Sequence, residues 1–119
     1  MDLTQPLREL VGKVPGAIGA VLIDDEGEAI THFSAKDENQ RVRLISAYHR
    51  IWLNDYTRLA EQMRLGKLGL MMQRYETGIV VVKALKDKYA LILIGENEMF
   101  SGQGLLQLER IGSVINEDL

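Results

Sequence analysis

The chain has 119 residues, of which 46% are hydrophobic, and it contains no cysteine. This length suits one domain with a core of its own, and the lack of cysteine excludes disulfides, thiolate metal ligands and a cysteine nucleophile. The net charge of -3 argues against a general nucleic-acid-binding protein, which needs a surplus of basic residues. The first residues lack the pattern of a secretory signal, and no apolar run is long enough to span a bilayer. We therefore expect a cytoplasmic protein in which residues 1–119 form a single domain.

The first predicted elements are a helix and a β-hairpin. The helix has apolar residues at spacings of three and four, namely Leu7, Leu10, Val11 and Val14. Pro15 and Gly16 end it, and residues 17–24 and 29–33 then have the composition of strands around an acidic turn that contains Gly27. Because both sides of the first strand are apolar, we expect it to be buried on both faces of a sheet.

A long helix follows, from about residue 37 to Gly66. Asp37 and Gln40 have the spacing of a capping box at its start, and Gly66 is a suitable residue to end it. Apolar residues recur along it at alternating steps of three and four, which predicts the face that packs on the sheet. We call this set the inner stripe; it comprises Val42, Ile45, His49, Trp52, Tyr56, Leu59 and Met63.

Three further strands and a last helix complete the chain. The strands are predicted at residues 68–76, 78–85 and 89–95, with tight turns between them, and the helix follows residue 101. The order α-β-β-α-β-β-β-α predicts an α+β fold, an antiparallel sheet of five strands with helices on both faces. Gly12 and Gly112 suggest that the first and last helices approach each other closely on one face, leaving the long helix alone on the other.

No motif for catalysis, for a cofactor or for a metal is present. The glycine-rich stretches at residues 16–19 and 102–104 lack the lysine of a phosphate-binding loop. His32 and His49 are isolated, and the acidic turn at residues 24–28 lacks the alternating oxygen ligands of a calcium loop. We therefore predict that the protein is not an enzyme and has no catalytic, cofactor-binding or metal-binding residues.

The long helix carries a second set of apolar residues opposite the inner stripe. We call it the outer stripe; it comprises Leu44, Ala47, Tyr48 and Ile51, again at helical spacing. A helix that rests on a sheet buries one face only, so a second apolar stripe favours an interface. The alternative is a set of scattered exposed apolar residues, which are common on protein surfaces.

The strand at residues 68–76 is expected at the edge of the sheet. It is apolar and contains no proline, and natural proteins rarely leave such an edge unpaired. Pairing with the same strand of a second copy would give a two-fold dimer and bring the two long helices together. The predicted interface residues of this strand are Leu68, Leu70, Met72 and Arg74, in addition to the outer stripe.

The charge of the long helix is a further feature that bears on binding partners. Residues 38–67 include six basic and three acidic side chains in a chain that is acidic as a whole. A solvated helix face explains this, and so does attraction of an acidic partner. The candidate partner-binding residues are Arg41, Arg43, Arg50 and Arg58.

The whole chain resembles the roadblock family, which includes dynein light chains and bacterial MglB-like proteins and is related to longin domains. The resemblance rests on VPGAIGAVLIDDEGE at residues 14–28, on the long helix, and on YALILIG at residues 89–95. It implies the sheet order 2-1-5-4-3 and homodimers or heterodimers formed through the third strand. It also implies partners that are Ras-like GTPases, motor or polarity complexes, or sibling roadblock proteins. Some members accelerate GTP hydrolysis on a GTPase, but the family has no fixed catalytic motif to transfer.

The resulting interpretation is a homodimeric adaptor or regulator in a small Ras-like GTPase system of the motility or polarity type. A small-molecule sensor of the PAS or GAF type is the alternative, because it also combines a five-stranded antiparallel sheet with helices. Such a sensor would need a pocket between sheet and helix, lined by Trp52 and His49.

Overall fold

A computed structural model describes residues 2–97, 99 and 101–119 of the chain. The helices are α1 (Thr4–Lys13), α2 (Asn39–Gln62) and α3 (Ser101–Asp118), and the strands are β1 (Ala17–Ile23), β2 (Ala29–Ser34), β3 (Leu70–Tyr75), β4 (Gly78–Ala84) and β5 (Ala90–Glu96). The strands form one antiparallel sheet in the order β2-β1-β5-β4-β3. The predicted α+β class and the strand order are confirmed.

The sheet has a hydrophobic core on each face. Side chains of β1, β4 and β5 are buried on both sides, as their continuous apolar sequences predict. Because successive side chains of a strand point to opposite faces, neighbours such as Ile92 and Leu93 belong to different cores. Ile92 packs in the core that α2 covers, whereas Leu93 packs in the core that α1 and α3 cover.

Helices α1 and α3 contact each other on one face of the sheet, and α2 lies on the other. This arrangement confirms the predicted layers. The role given to Gly12 is wrong, however, because a Cβ atom at this position would meet no atom within 4 Å. Gly112 instead lies against the side chain of Lys83, where a Cβ atom would be 2.8 Å from Cδ.

The face that α2 buries differs from the inner stripe. Val42 and His49 are buried as predicted, together with Leu53 and the polar residues Ser46 and Arg50. The prediction is wrong for the second half of the inner stripe, because all of its residues are exposed. They are Trp52, Tyr56, Leu59 and Met63. The reason is that α2 packs mainly across β1 and β2 through a narrow face. The Ser46 hydroxyl can be buried there because it donates to the carbonyl of Val42 at 2.8 Å.

Both ends of α2 differ from the caps that the sequence predicts. No side-chain cap forms at Glu38, the residue before the helix, so the capping box predicted at Asp37 and Gln40 is wrong. At the other end Arg64, with a φ of 58°, takes the left-handed position that Gly66 was expected to fill. The amide of Leu65 donates to the carbonyl of Ala60 at 2.9 Å, and that of Arg64 to the carbonyl of Glu61 at 3.1 Å. These two bonds complete a Schellman motif with arginine in the usual place of glycine.

Strand β3 lies at the edge of the sheet and pairs with β4 alone among the described strands, while β2 forms the opposite edge. The edge position predicted for this segment is confirmed, although the strand is shorter than residues 68–76. No described helix combines the length and the apolar character needed to cross a membrane.

Candidate functional site

The solvent side of α2 carries a long row of large apolar side chains, which we call the exposed ridge. Its members are between 38% and 59% exposed, and they are Leu44, Tyr48, Ile51, Trp52, Tyr56, Leu59 and Met63. The ridge joins three residues of the outer stripe with the four inner-stripe residues that the sheet does not cover. Scattered exposed apolar residues need no explanation, but a contiguous row along a 24-residue helix is typical of an interaction site.

The outer stripe lies on the surface almost as predicted. Leu44, Tyr48 and Ile51 are each more than half exposed. Ala47 is half-buried and lies beside Gly27 in the turn between β1 and β2, so it flanks the exposed ridge.

The predicted β3 residues do not share one surface. Leu68 precedes the strand and packs against the core beneath α2, whereas Leu70 packs against the core of α1 and α3. Met72 and Arg74 are exposed and follow Leu70 at alternate positions, so they lie on its side of the sheet. The strand residue whose side chain reaches a polar group of α2 is Tyr75, which was not among the predicted interface residues. Its alternation with Met71, which packs beneath α2, is the sequence signal that could have identified it.

His49 connects α2 to the edge strand. Its Nδ1 lies 2.8 Å from the carbonyl oxygen of Ile45, and its Nε2 lies 2.8 Å from the Tyr75 hydroxyl. The Tyr75 hydroxyl also lies 2.7 Å from Oε1 of Gln73. A hydroxyl has a single proton, so neutral His49 and Gln73 compete for it. The imidazole also contacts the Trp52 ring edge-on, with 4.7 Å between the ring centroids.

We expect His49 to make the fold less stable in mild acid. Burial lowers the pKa of His49 below its usual value, although the hydrogen bond to Ile45 opposes this. The unfolded chain then takes up a proton more readily than the folded protein as pH falls through about 6.5. The free energy of unfolding should therefore decrease between pH 7.5 and 5. Urea titrations at these pH values should show a smaller decrease for His49→Gln than for the wild-type protein.

His32 should also make the free energy of unfolding decrease as pH falls, because burial and the nearby charge of Arg43 lower its pKa as well. The residual pH dependence of His49→Gln should therefore be reduced further by His32→Gln. If His49→Gln retained the full wild-type pH dependence, His49 would not be a titrating group of the transition.

A surface groove of about 390 Å³ opens beside His49, between α2 and the ends of β4 and β5. Its lining includes Trp52, Tyr75 and, at the rim, Arg41. Gly78, which has no side chain to fill the space, and the main chain of Gly95 contribute to the lining. His49 and Trp52 therefore lie where the sensor alternative requires a pocket, although the space is an open groove.

The fold does not gather the four predicted arginines into one patch. Arg41 lines the groove beside His49, whereas Arg43 lines a different depression with His32 of β2. Arg58 is exposed and forms an ion pair with Asp55 one turn earlier. Arg50 differs from the other three because its side chain is buried, with only 5% exposed, so it shares no open surface with them. Among the described residues, no group of three or more histidine or acidic side chains is placed to hold a metal ion.

Comparison with known proteins gives matches at the level of structure. No family model matches the sequence, and the search of curated proteins finds none similar to it. A Roadblock/LC7 domain from Streptomyces avermitilis aligns with a TM-score of 0.87 at 13% identity, covering 98% of this chain and 97% of that one. The gliding protein MglB from Thermus thermophilus aligns with a TM-score of 0.86 at 17% identity, covering 97% and 86%. MglC from Myxococcus xanthus aligns with a TM-score of 0.76 at 18% identity, over the full length of both chains.

At these low identities the agreement concerns the backbone and not particular side chains. It extends over nearly the whole chain and includes all the elements described above. The protein therefore has the fold of the Roadblock/LC7 domain, as its resemblance to the roadblock family predicts.

Proposed function

We propose that the protein is a homodimeric adaptor or regulator in a small Ras-like GTPase system of the motility or polarity type. In this proposal it is cytoplasmic, forms one domain and has no catalytic residues of its own. The observation that carries the proposal is the exposed ridge of α2 next to the edge strand β3, whose outer side pairs with no described strand. The fold shared with the gliding protein MglB supports the choice of system.

A two-fold axis perpendicular to the sheet at β3 would satisfy both features together. Such an axis pairs β3 with its copy in an antiparallel manner and continues the sheet into the second protomer. It also keeps both α2 helices on the same face, where their ridges can cover each other. Tyr75, held by His49, would lie at the junction between the helix and the strand. Association of roadblock domains has a precedent in the structure of MglB in a tetrameric arrangement.

The proposed partners are a small Ras-like GTPase and a sibling roadblock protein. We expect the tagged protein to retain one of them from native cells, and GTP hydrolysis by a retained GTPase to change when the protein is added. Arg41→Glu should weaken this interaction because it reverses a charge at the rim of the His49 groove. Arg110→Glu, on the opposite layer of the protein, is the matched control. Failure to retain either class of partner would contradict the adaptor function.

The groove beside His49 favours one second candidate, a sensor module. Its volume lies in the range of small-molecule sites, and aromatic side chains line it. Native mass spectrometry of the protein purified from its own cells distinguishes the two functions. A sensor should carry an additional mass that Trp52→Ala removes, whereas the adaptor should show protein masses alone.

A further inference from the structure

A second recess lies on the other flank of α2, and we call it the Arg50 cleft. It has a volume of about 830 Å³ and is formed by the C-terminal half of α2 and the turn that joins β4 to β5. Basic residues outnumber acidic ones by five to three in its lining. The basic residues are Arg50, Arg58, Lys67, Lys86 and Lys88.

Arg50 is the unusual member of this set, because its side chain is buried and not all of its N–H groups donate a hydrogen bond. Its Nε donates to Oδ1 of Asn54 at 3.1 Å, and the amide of Asn54 donates to the main-chain carbonyl of Asp25 at 3.1 Å. The Nη1 atom is fully buried and has no hydrogen-bond partner among the described residues. A guanidinium keeps its charge in proteins, so a buried N–H group of this kind without an acceptor is costly.

The carboxylates nearby only partly offset this burial. Desolvation lowers the pKa of Arg50, and the charges of Asp25 and Asp24 raise it by less. One oxygen of Asp24 already accepts the amides of Glu26 and Glu28, at 2.9 Å each. The guanidinium of Arg50, which lines the cleft, therefore has hydrogen-bonding capacity that no described residue uses.

The turn at the rim of the Arg50 cleft has a strained backbone. Asp87 and Lys88 both have positive φ angles, of 57° and 65°, which is the geometry of a type I′ hairpin turn. Glycine is preferred in the second of these positions because it has no Cβ atom to clash. This chain has Lys88 there instead. The lysine strains the backbone, but it places a cation beside the cleft.

We propose that the Arg50 cleft binds a small phosphate-bearing anion whose oxygens accept hydrogen bonds from the guanidinium of Arg50. The lining has two more basic than acidic side chains, and one of the basic ones, Arg58, is paired with Asp55 outside the lining, so the remaining positive charge favours an anion. Arginine and lysine together are suited to phosphate, the first as a paired donor and the second as a mobile charge. The proposal is independent of the dimer, because Arg50 faces the other flank of α2 from Tyr48 and Trp52.

The test is titration of the intact protein with inorganic pyrophosphate, followed by calorimetry and by the NMR signal of the Arg50 Nε–H group. We expect saturable binding, a shift of that signal, and an affinity that decreases as salt increases. Arg50→Gln should bind about tenfold more weakly, since it removes a charged hydrogen bond. Arg110→Gln, which removes an arginine from α3, should bind as the wild-type protein does.

Lys88→Gly is a second variant, which tests the site without changing the buried Arg50. It should raise the urea concentration at the midpoint of unfolding, because glycine accepts the positive φ angle without strain. The same variant should weaken pyrophosphate binding, because it removes a cation from the rim. Unchanged affinity in this more stable protein would contradict the site.

Two further ligands identify the occupant. A nucleoside diphosphate that shifts the Arg50 signal would support the site, and its affinity relative to pyrophosphate would show whether the ligand has an organic part. A glutamate-rich peptide that shifts the signal when neither phosphate compound does would overturn the proposal in favour of a protein segment. Absence of any shift would also overturn it.

Discussion

Replacing both Tyr48 and Ile51 with aspartate will convert the proposed dimer into a monomer. Both side chains are more than half exposed on the ridge of the free chain, so the substitutions leave the core intact. A two-fold interface contains each substitution twice, so four carboxylates would face one another in the place of four apolar groups. We expect the dissociation constant to increase by a factor of about 100 or more, as for the loss of a central interface residue. Size-exclusion chromatography with light scattering measures the mass directly.

Leu106→Asp is the matched control for this experiment. Leu106 is also a large exposed apolar residue, 61% exposed, but it lies on α3 on the opposite layer. The control should keep the mass of the wild-type protein. A wild-type protein that is monomeric, or a Tyr48 and Ile51 double variant of unchanged mass, would remove the ridge from the proposed interface.

Two glycine-to-alanine substitutions only four residues apart should have opposite effects on stability. Gly16 has a φ of 85°, and a Cβ atom there would lie 2.8 Å from Cα and 2.9 Å from N of Met99. Gly16→Ala therefore combines a left-handed backbone with a collision against main-chain atoms, and it should lower the free energy of unfolding by about 3 kcal/mol. Gly12 lies inside α1, and a Cβ atom there would meet nothing within 4 Å. Gly12→Ala should raise the free energy of unfolding by roughly 0.5–1 kcal/mol.

Urea unfolding of both variants, followed by circular dichroism, tests this pair. Gly12→Ala also controls for the general effect of removing a glycine from the unfolded chain. A stable Gly16→Ala protein would mean that the junction between α1 and β1 can move away from Met99. Glycine would then not be required at position 16.

Short continuous apolar runs and helical apolar patterns in the sequence were enough to give the number, type and order of the elements. The runs at β1, β4 and β5 predicted strands buried on both faces, and the structure confirms this. The strand order came from resemblance to the roadblock family and is also confirmed. The elements themselves follow from local sequence because each depends on residues close together in the chain.

Which residues of α2 lie inside was decided by tertiary packing. Hydrophobicity alone placed Trp52 and Tyr56 inside and did not select Ser46 and Arg50 for burial. The angle and position at which a helix crosses a sheet depend on contacts between distant segments, and the apolar pattern of one helix does not contain that information. Apolar residues that this packing leaves outside recur at the same helical spacing as those it buries. The sequence therefore cannot distinguish a core face from an interface face.

The sequence by itself determined an α+β domain with a long helix, an apolar edge strand and two apolar sides on that helix. Only the tertiary structure showed that these sides merge into one exposed ridge and that His49 ties α2 to Tyr75. Only the tertiary structure separated the four arginines and buried Arg50 in the wall of a basic cleft. The physical reason is the same in each case: side chains far apart in sequence acquire shared surroundings, and hence shared chemistry, only when the sheet and its helices assemble.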